Sequence, residues 1–381
     1  MALFIGLVGI CLLAVILWDA FETIILPRRV TRRYRLTSAF YRYTGTPWLA
    51  MARRIRSSKR REGFLGVFGP LSVLALFGVW AGGLILSFGM VQWAAGSMLG
   101  EPSTLQSFRA QLYLSGSAFF TLGLGDVTPQ TPFARFVTVI ESGMGFAFLA
   151  VVISYLPVLY GAFSRREANI SLLDARAGSP PTAAELLRRH TRQQNLDALG
   201  DYLRAWESWA AELMESHLSY PVLCYFRSQH NNQSWVSALA TILDACALLL
   251  AHTEGALRWQ AELTFAISRH ALVDLAQALA IPPKVVPYDR FDPVALAAMR
   301  EILGACGAPL CKARAAQDTL EQLRQMYEPY LFGFSERLLM PLPGWSTSWA
   351  SVDNWRTSAW GSVSTLAGPQ SSSQVEDDEH A

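Results

Sequence analysis

Three runs of apolar residues in the first half of the chain are long enough to cross a lipid bilayer. They are 2–18, 64–95, which contains no charge, and 133–163, whose charged residues are Arg135 and Glu141. A helix of about 20 mostly apolar residues spans the hydrocarbon core. The pattern therefore predicts three transmembrane helices, which we name spans one, two and three.

Span one extends as far as Leu26 if Asp19 and Glu22 are included. It lacks the positively charged start and small-residue cleavage site of a signal peptide, so we expect it to be retained. Asp19 and Glu22 are three residues apart and share one helix face. They form either an intramembrane charge site or a pair of carboxylates at headgroup depth that bind Arg28 or Arg29.

A shorter apolar segment, 110–120, lies between spans two and three. It has the length of a three-turn helix and is too short to span, so it is a candidate re-entrant helix. Thr-Leu-Gly-Leu-Gly-Asp follows at 121–126. Gly123 and Gly125 can adopt left-handed conformations, which lets successive carbonyls point towards one axis. A ring of such oxygens can replace the hydration shell of a monovalent cation.

The second half of the chain has helical periodicity throughout. Residues 175–182 are a polar linker that ends in a helix N-cap at Thr182, with Glu185 completing a capping box. Helices are predicted over 183–195, 196–218, 234–252, 258–280, 292–306 and 312–331. The run 236–251 is apolar, but it is short and contains Asp244, so we interpret it as a buried core helix rather than a fourth span.

The predicted fold class is an all-α membrane protein: three transmembrane helices with a re-entrant pore helix and loop, followed by a cytosolic α-helical bundle. The predicted domains are an N-terminal transmembrane helix, a basic cytoplasmic segment, a pore domain, a cytosolic helical domain and a disordered tail rich in Ser and Trp. Their predicted bounds are 1–26, 27–63, 64–166, 182–340 and 343–381.

The distribution of Lys and Arg predicts the orientation of the spans in the membrane. Apolar residues make up 51% of the chain and charged residues 16%, a low charged share that favours a membrane protein. Residues 27–63 contain twelve Lys or Arg and one acid, whereas 96–132 contain one basic residue, Arg109. The positive-inside rule places 27–63 in the cytoplasm, the N-terminus outside and the C-terminal domain inside the cell. We expect a multi-pass protein of the cell (plasma or inner) membrane, with anionic lipids as candidate partners of 28–61.

The sequence contains no motif that indicates a catalytic site or a cofactor-binding site. The five cysteines have neither disulfide-framework nor zinc spacing. Rossmann glycines, a P-loop and an EF-hand loop are absent, and no nucleophile pairs with a base. We therefore predict no enzyme activity, no cofactor, no metal beyond a permeant ion and no nucleic-acid partner.

The hexapeptide at 121–126 resembles the selectivity-filter signature T-V-G-Y-G-D of potassium channels. Its setting, helix, pore loop and helix, resembles the two-transmembrane pore domain of that family over about 66–166. The resemblance implies that Thr121, Leu122, Gly123, Leu124 and Gly125 provide the oxygens that bind K⁺, and that Asp126 shapes the outer mouth. Leu124 replaces a tyrosine that braces the usual filter, and Phe120 replaces the commoner threonine.

One pore loop cannot enclose an axis, so four copies of this chain are implied. Gly143 and Gly145 lie where related inner helices have a hinge, although glycine serves close helix packing equally well. Pro157 removes a helix hydrogen bond near the cytoplasmic end of span three, where a gate would close.

Glu141 lies at the depth of the filter, where an unpaired carboxylate is costly. It either braces the filter or pore helix in place of the missing tyrosine, or contacts a wet outer vestibule.

The sequence predicts a subunit of a tetrameric potassium-type cation channel that is gated or assembled by its cytosolic helical domain. The alternative is a membrane-anchored signalling or scaffold protein with a non-conducting or weakly selective pore.

Overall fold

A computed structural model of the chain describes residues 1–26, 35–96, 107–191, 196–229, 233–291, 293–305 and 313–346. Within these ranges every regular element is helical, and none is a β-strand. The α-helices are α1 (Ala2–Ala20), α2 (Leu36–Arg54), α3 (Ser58–Ala94), α4 (Phe108–Phe119), α5 (Pro132–Ala177), α6 (Ala183–Thr191), α7 (Leu196–Ser219), α8 (Trp235–His252), α9 (Ala256–Ala278), α10 (Pro293–Ala305), α11 (Ala313–Gln325) and α12 (Glu328–Leu338). A π-helical turn, Phe21–Ile25, continues α1, and a 3-10 helix, Pro221–Tyr225, follows α7.

The chain divides into two compact units. The first comprises Met1–Arg54 and Val67–Gly161, and the second comprises Ile55–Gly66 and Ala162–Ala381. The second unit therefore includes the first turns of α3 and the last turns of α5. Both of these helices are continuous across the division.

Among the described residues, four helical stretches are long and apolar enough to cross a membrane: Ala2–Ile25, Ser58–Ala94, Pro132–Ala177 and Trp235–His252. In the first and third, only 17% of the most apolar window is buried within the chain, whereas in the fourth it is 100%. The fourth is α8, and its complete burial agrees with its interpretation as a core helix. The protein is a multi-pass membrane protein with an all-α fold, as predicted.

Asp19 joins three helices of the first unit. Its carboxylate is fully buried and accepts hydrogen bonds from the backbone N–H of Thr37 (3.2 Å), from the Thr37 hydroxyl (2.6 Å) and from the indole N–H of Trp80 (3.1 Å). Thr37 is in the first turn of α2, whose backbone N–H groups have no partner within the helix. The carboxylate therefore caps α2 from a distance of 18 residues along the chain and fixes it to α3.

Neither of the two interpretations of Asp19 and Glu22 named these partners. Arg28 and Arg29 lie outside the described residues. Glu22 instead forms an ion pair with Arg35 at 3.5 Å and accepts a hydrogen bond from the Trp18 indole at 2.7 Å.

Helix α2 itself was not predicted within the basic segment 27–63. It packs on α3 through Trp48, whose ring centre lies 5.5 Å from that of Phe68.

The core of the second unit is built around α8, every residue of which is buried. Helix α7 packs along α9, and both contribute apolar side chains to the core around α8. Trp345 is fully buried and stacks on Phe291 at 5.3 Å, and its carbonyl accepts from the Ala184 N–H. The predicted start of the disordered tail at 343 is therefore too early, because Trp345 belongs to the core. Residues 347–381 of that tail lie outside the described residues.

Candidate functional site

The short helix α4 leads directly into the glycine-containing loop. Ser107 caps its start by accepting a hydrogen bond from the Ala110 N–H at 3.2 Å. At its end, the Leu122 N–H donates to the Ser117 carbonyl at 2.8 Å, and Thr121 has a φ of 54°. A residue in the left-handed conformation, together with a hydrogen bond from the N–H of residue i+5 to the carbonyl of residue i, is the Schellman motif that ends many helices. The left-handed residue of this motif is usually glycine. A threonine in this conformation costs roughly 1–2 kcal/mol, which marks the position as specially constrained.

Backbone conformation alternates along the loop. Thr121, Gly123 and Gly125 have positive φ angles of 54°, 62° and 77°, while Leu122 and Leu124 between them do not. Alternation in the sign of φ can turn successive peptide carbonyls to the same side of the loop. This is the arrangement that a ring of cation-binding oxygens requires.

The loop is open in the single chain. Leu122 is 59% exposed and Leu124 62% exposed, and a Cβ added at Gly123 or Gly125 would meet no atom within 4 Å. Irregular backbone at membrane depth persists only where it lines a cavity or is covered by protein.

Comparison with known proteins assigns this region to a family. Residues 73–159, which run from α3 through α4 and the loop into α5, match the family model described as "Ion channel". These residues are similar to an ion channel domain. The match covers under a quarter of the 381 residues, so it describes this domain and not the second unit.

A curated relative, the uncharacterized membrane protein YdjJ of Bacillus subtilis (strain 168), is 27% identical over 143 residues. The aligned region is 37% of this chain and 41% of that protein, so the chain spans about two-fifths of the length of this relative. No solved structure matches the chain.

Two side chains of α4 hold the loop of the channel domain and its surroundings. The Tyr113 hydroxyl donates to a carboxylate oxygen of Asp126 at 2.8 Å, which ties the outer end of the loop to the helix before it. Ser115 donates to the Glu141 carboxylate on α5. Tyr113 and Ser115 were not identified from the sequence. Tyr113 is a polar aromatic residue in the first half of α4, and Ser115 is a hydroxyl in an apolar run, so the sequence signal for both was weak.

Glu141 is completely buried between α4, α5 and α3. One of its oxygens accepts from Ser115, and Gln92 of α3 lies beside the carboxylate. The Ser115 hydroxyl oxygen also lies 2.7 Å from the Ile85 carbonyl oxygen of α3, so its single proton is shared between these two acceptors. This position fits the brace interpretation, since the side chain has no exposed surface in contact with a vestibule.

The two candidate hinge glycines of α5, Gly143 and Gly145, have different surroundings. A Cβ at Gly145 would lie 1.8 Å from the carbonyl oxygen of Phe119, at the end of α4, whereas a Cβ at Gly143 would meet nothing within 4 Å. Gly145 therefore allows α5 to approach the pore helix, which is the packing interpretation. Gly143 remains a candidate hinge. Helix α5 continues through Pro157 to Ala177.

Proposed function

We propose that the chain is one subunit of a tetrameric channel that conducts potassium ions passively across the cell membrane. The observation that carries this proposal is the alternation of φ at Thr121, Gly123 and Gly125, immediately after a re-entrant helix in an ion channel domain. Carbonyls that share one direction can bind a dehydrated cation in place of water. The proposal is that 121–125 of each subunit contribute these oxygens.

The tetramer is supported by what one chain leaves uncovered. The loop residues Leu122 and Leu124 are exposed, and α5 presents apolar side chains to its surroundings, including Phe136 at 64%, Phe146 at 70% and Ile153 at 63% exposure. Apolar patches of this kind mark surfaces that contact protein or lipid. Four copies arranged around a four-fold axis would bring the four loops together and enclose a pore between them.

Potassium is proposed as the permeant ion because four of the six filter residues match the potassium signature. Leu124 cannot form the hydrogen bond of the usual tyrosine. In this chain the bonds from Tyr113 to Asp126 and from Ser115 to Glu141 hold the region around the loop from α4 and α5. We propose that they replace the missing brace.

The remaining parts of the proposal concern the orientation of the chain in the membrane and the gating of the channel. The arginine distribution supports an external N-terminus and a cytoplasmic second unit, with anionic lipid headgroups as partners of 28–61. The gate is placed near Pro157 with Gly143 as its hinge, and the second unit would control it. No cofactor other than the permeant ion is proposed.

The test is ion flux through purified protein in liposomes. We expect K⁺ efflux that exceeds Na⁺ efflux, and we expect it to be abolished by Gly123→Ala, because alanine is strained at positive φ. Gly78→Ala is the matched control, since Gly78 lies in α3 with nothing within 4 Å of an added Cβ. Absence of flux for both ions would favour the alternative, a membrane-anchored scaffold with a non-conducting pore.

A further inference from the structure

Within the second unit, the last turns of α5 contribute Ile170, Leu173 and Ala177 to the core, and a buried arginine, Arg166, binds the segment that follows α7. The Arg166 guanidinium donates to the carbonyls of Leu223 and Phe226, both at 2.9 Å, and pairs with the neighbouring Glu167 at 2.8 Å. Its side chain is 2% exposed. The indole N–H of Trp209 in α7 donates to the Arg166 carbonyl at 3.3 Å. Side chain and backbone of Arg166 are thus both held.

His217 of α7 completes the shell of Arg166. Its Nε2 lies 3.0 Å from Arg166 Nη1, and its Nδ1 lies 3.0 Å from the Ser216 hydroxyl. Arginine only donates hydrogen bonds, so Nε2 must accept. An imidazole that accepts through Nε2 carries its single proton on Nδ1 and is neutral. The observed contact therefore exists only for uncharged His217.

Few other groups can compensate a charge on His217. In the described part of the chain, the titratable groups around the pair are Glu167 of α5, already bound to Arg166, and the Cys224 thiol, whose pKa burial raises to about 12. Helix α8 contributes the uncharged ring of Trp235, 5.6 Å from the imidazole. Burial and the charge of Arg166 hold the pKa of His217 well below its usual value.

The residues that bind Arg166, Leu223 and Phe226, lie in a short segment that also binds the start of α3. Glu62, near the beginning of that helix, pairs with Arg227 at 3.3 Å, and both side chains are mostly buried. Arg227 in turn donates to the carbonyls of Leu338 and Leu339. Residues 221–227, which we name the coupling segment, therefore bind α5 through Arg166 and α3 through Glu62. These are the two long helices of the ion channel domain.

We propose that the coupling segment transmits the state of the second unit to the pore, and that protonation of His217 from the cytosol releases Arg166 from the coupling segment, a step that we call undocking, while Ile170, Leu173 and Ala177 keep the end of α5 in the core. The proposal rests on the proposed channel function for its effect on conduction, whereas the undocking itself does not. Arg166 lies about two and a half helical turns beyond Pro157 on the same helix, so its release would reach the proposed gate through continuous backbone.

Proton linkage fixes the direction and size of the effect. Undocked in water, His217 would regain an ordinary pKa of about 6.5, and it would bind a proton more readily than the docked residue. Lowering the pH therefore favours the undocked state. Between about pH 7.5 and about pH 5.5, the undocking equilibrium should increase about tenfold in each subunit.

The experiment compares wild type with His217→Gln and Arg165→Gln in the full-length protein reconstituted in liposomes. Glutamine keeps a carbonyl acceptor for Arg166 and cannot be protonated. Arg165 is the neighbouring exposed arginine and serves as the control. Two readouts are taken at both pH values: the K⁺ efflux rate, and hydrogen exchange of the coupling segment corrected for intrinsic exchange rates.

In wild type and Arg165→Gln, we expect protection of the coupling segment to fall about tenfold at the lower pH and K⁺ efflux to change with it. In His217→Gln both readouts should differ less than about twofold between the two pH values. Unchanged protection in wild type, or an equal loss in His217→Gln, would overturn the proposal. Loss of protection in wild type alone, without K⁺ efflux at any pH, would support the release of Arg166 and contradict the channel function.

Discussion

Ser115 in the re-entrant helix α4 donates a hydrogen bond to Glu141 in α5, and neither side chain has solvent-exposed surface. The two residues are 26 positions apart, and their contact joins α4, which precedes the candidate filter, to α5. A buried polar group that loses its partner costs about 1–3 kcal/mol. The pair is therefore expected to hold α4 in one position relative to α5.

Glu141→Gln should retain K⁺ flux, because the glutamine carbonyl can still accept from Ser115. Glu141→Leu should reduce flux at least about tenfold, since it leaves buried polar groups on α3 and α4 without their partner. Liposome flux assays on protein that still elutes as an oligomer provide the measurement. Equal flux for both variants would exclude Glu141 as a brace.

Tyr113→Phe removes the hydroxyl that holds Asp126 at 2.8 Å. Because Asp126 then loses its anchor on α4, we expect the ratio of K⁺ to Na⁺ flux to fall several-fold while the fold persists. Tyr43→Phe is the control, since Tyr43 is 77% exposed in α2. An unchanged flux ratio in Tyr113→Phe would show that Asp126 needs no anchor.

Gly145→Ala should destabilise the protein by about 1–3 kcal/mol, because the new methyl group would overlap the Phe119 carbonyl and force α5 away from α4. Gly143→Ala is the matched control, with open space around the added Cβ. Thermal unfolding in detergent, followed by circular dichroism, distinguishes the two. Comparable stability of both variants would contradict the close packing at Gly145.

Asp244 and Arg290 form a buried ion pair in the second unit, and the Tyr327 hydroxyl also donates to Asp244, at 2.6 Å. Asp244→Ala should lower the free energy of unfolding by about 3–5 kcal/mol, because it leaves a buried guanidinium without its carboxylate. Asp201→Ala removes the exposed pair with Arg204 at 2.8 Å and should change stability by less than about 1 kcal/mol. Denaturant titration of both variants is the measurement, and equal losses would contradict this account.

Local pattern predicted much of the architecture. The long apolar runs became α1, α3 and α5, and the short run before the glycines became α4, because segment length relative to the bilayer is readable from sequence alone. Helix α8 was recognised as a core element from its length and its aspartate. The helix predicted over 312–331 is interrupted by a turn at 326–327 and followed by a separate helix, α12.

What the sequence did not predict depends on contacts between distant residues. Helix α2 is capped by Asp19, and Trp345 is ordered by stacking on Phe291. The Ser115 bond identified the partner of Glu141, and the Phe119 carbonyl distinguished Gly145 from Gly143. In the sequence, residue 166 was only the last position of the predicted pore domain, whereas the structure shows the buried hydrogen bonds of Arg166.

The most direct test of the central claim is a structure of the purified protein in lipid with K⁺ present. We predict four chains around one axis, with the carbonyl oxygens of 121–125 facing it and ion density between them. Carbonyl oxygens of this loop facing lipid or bulk water, away from any symmetry axis, would contradict the account.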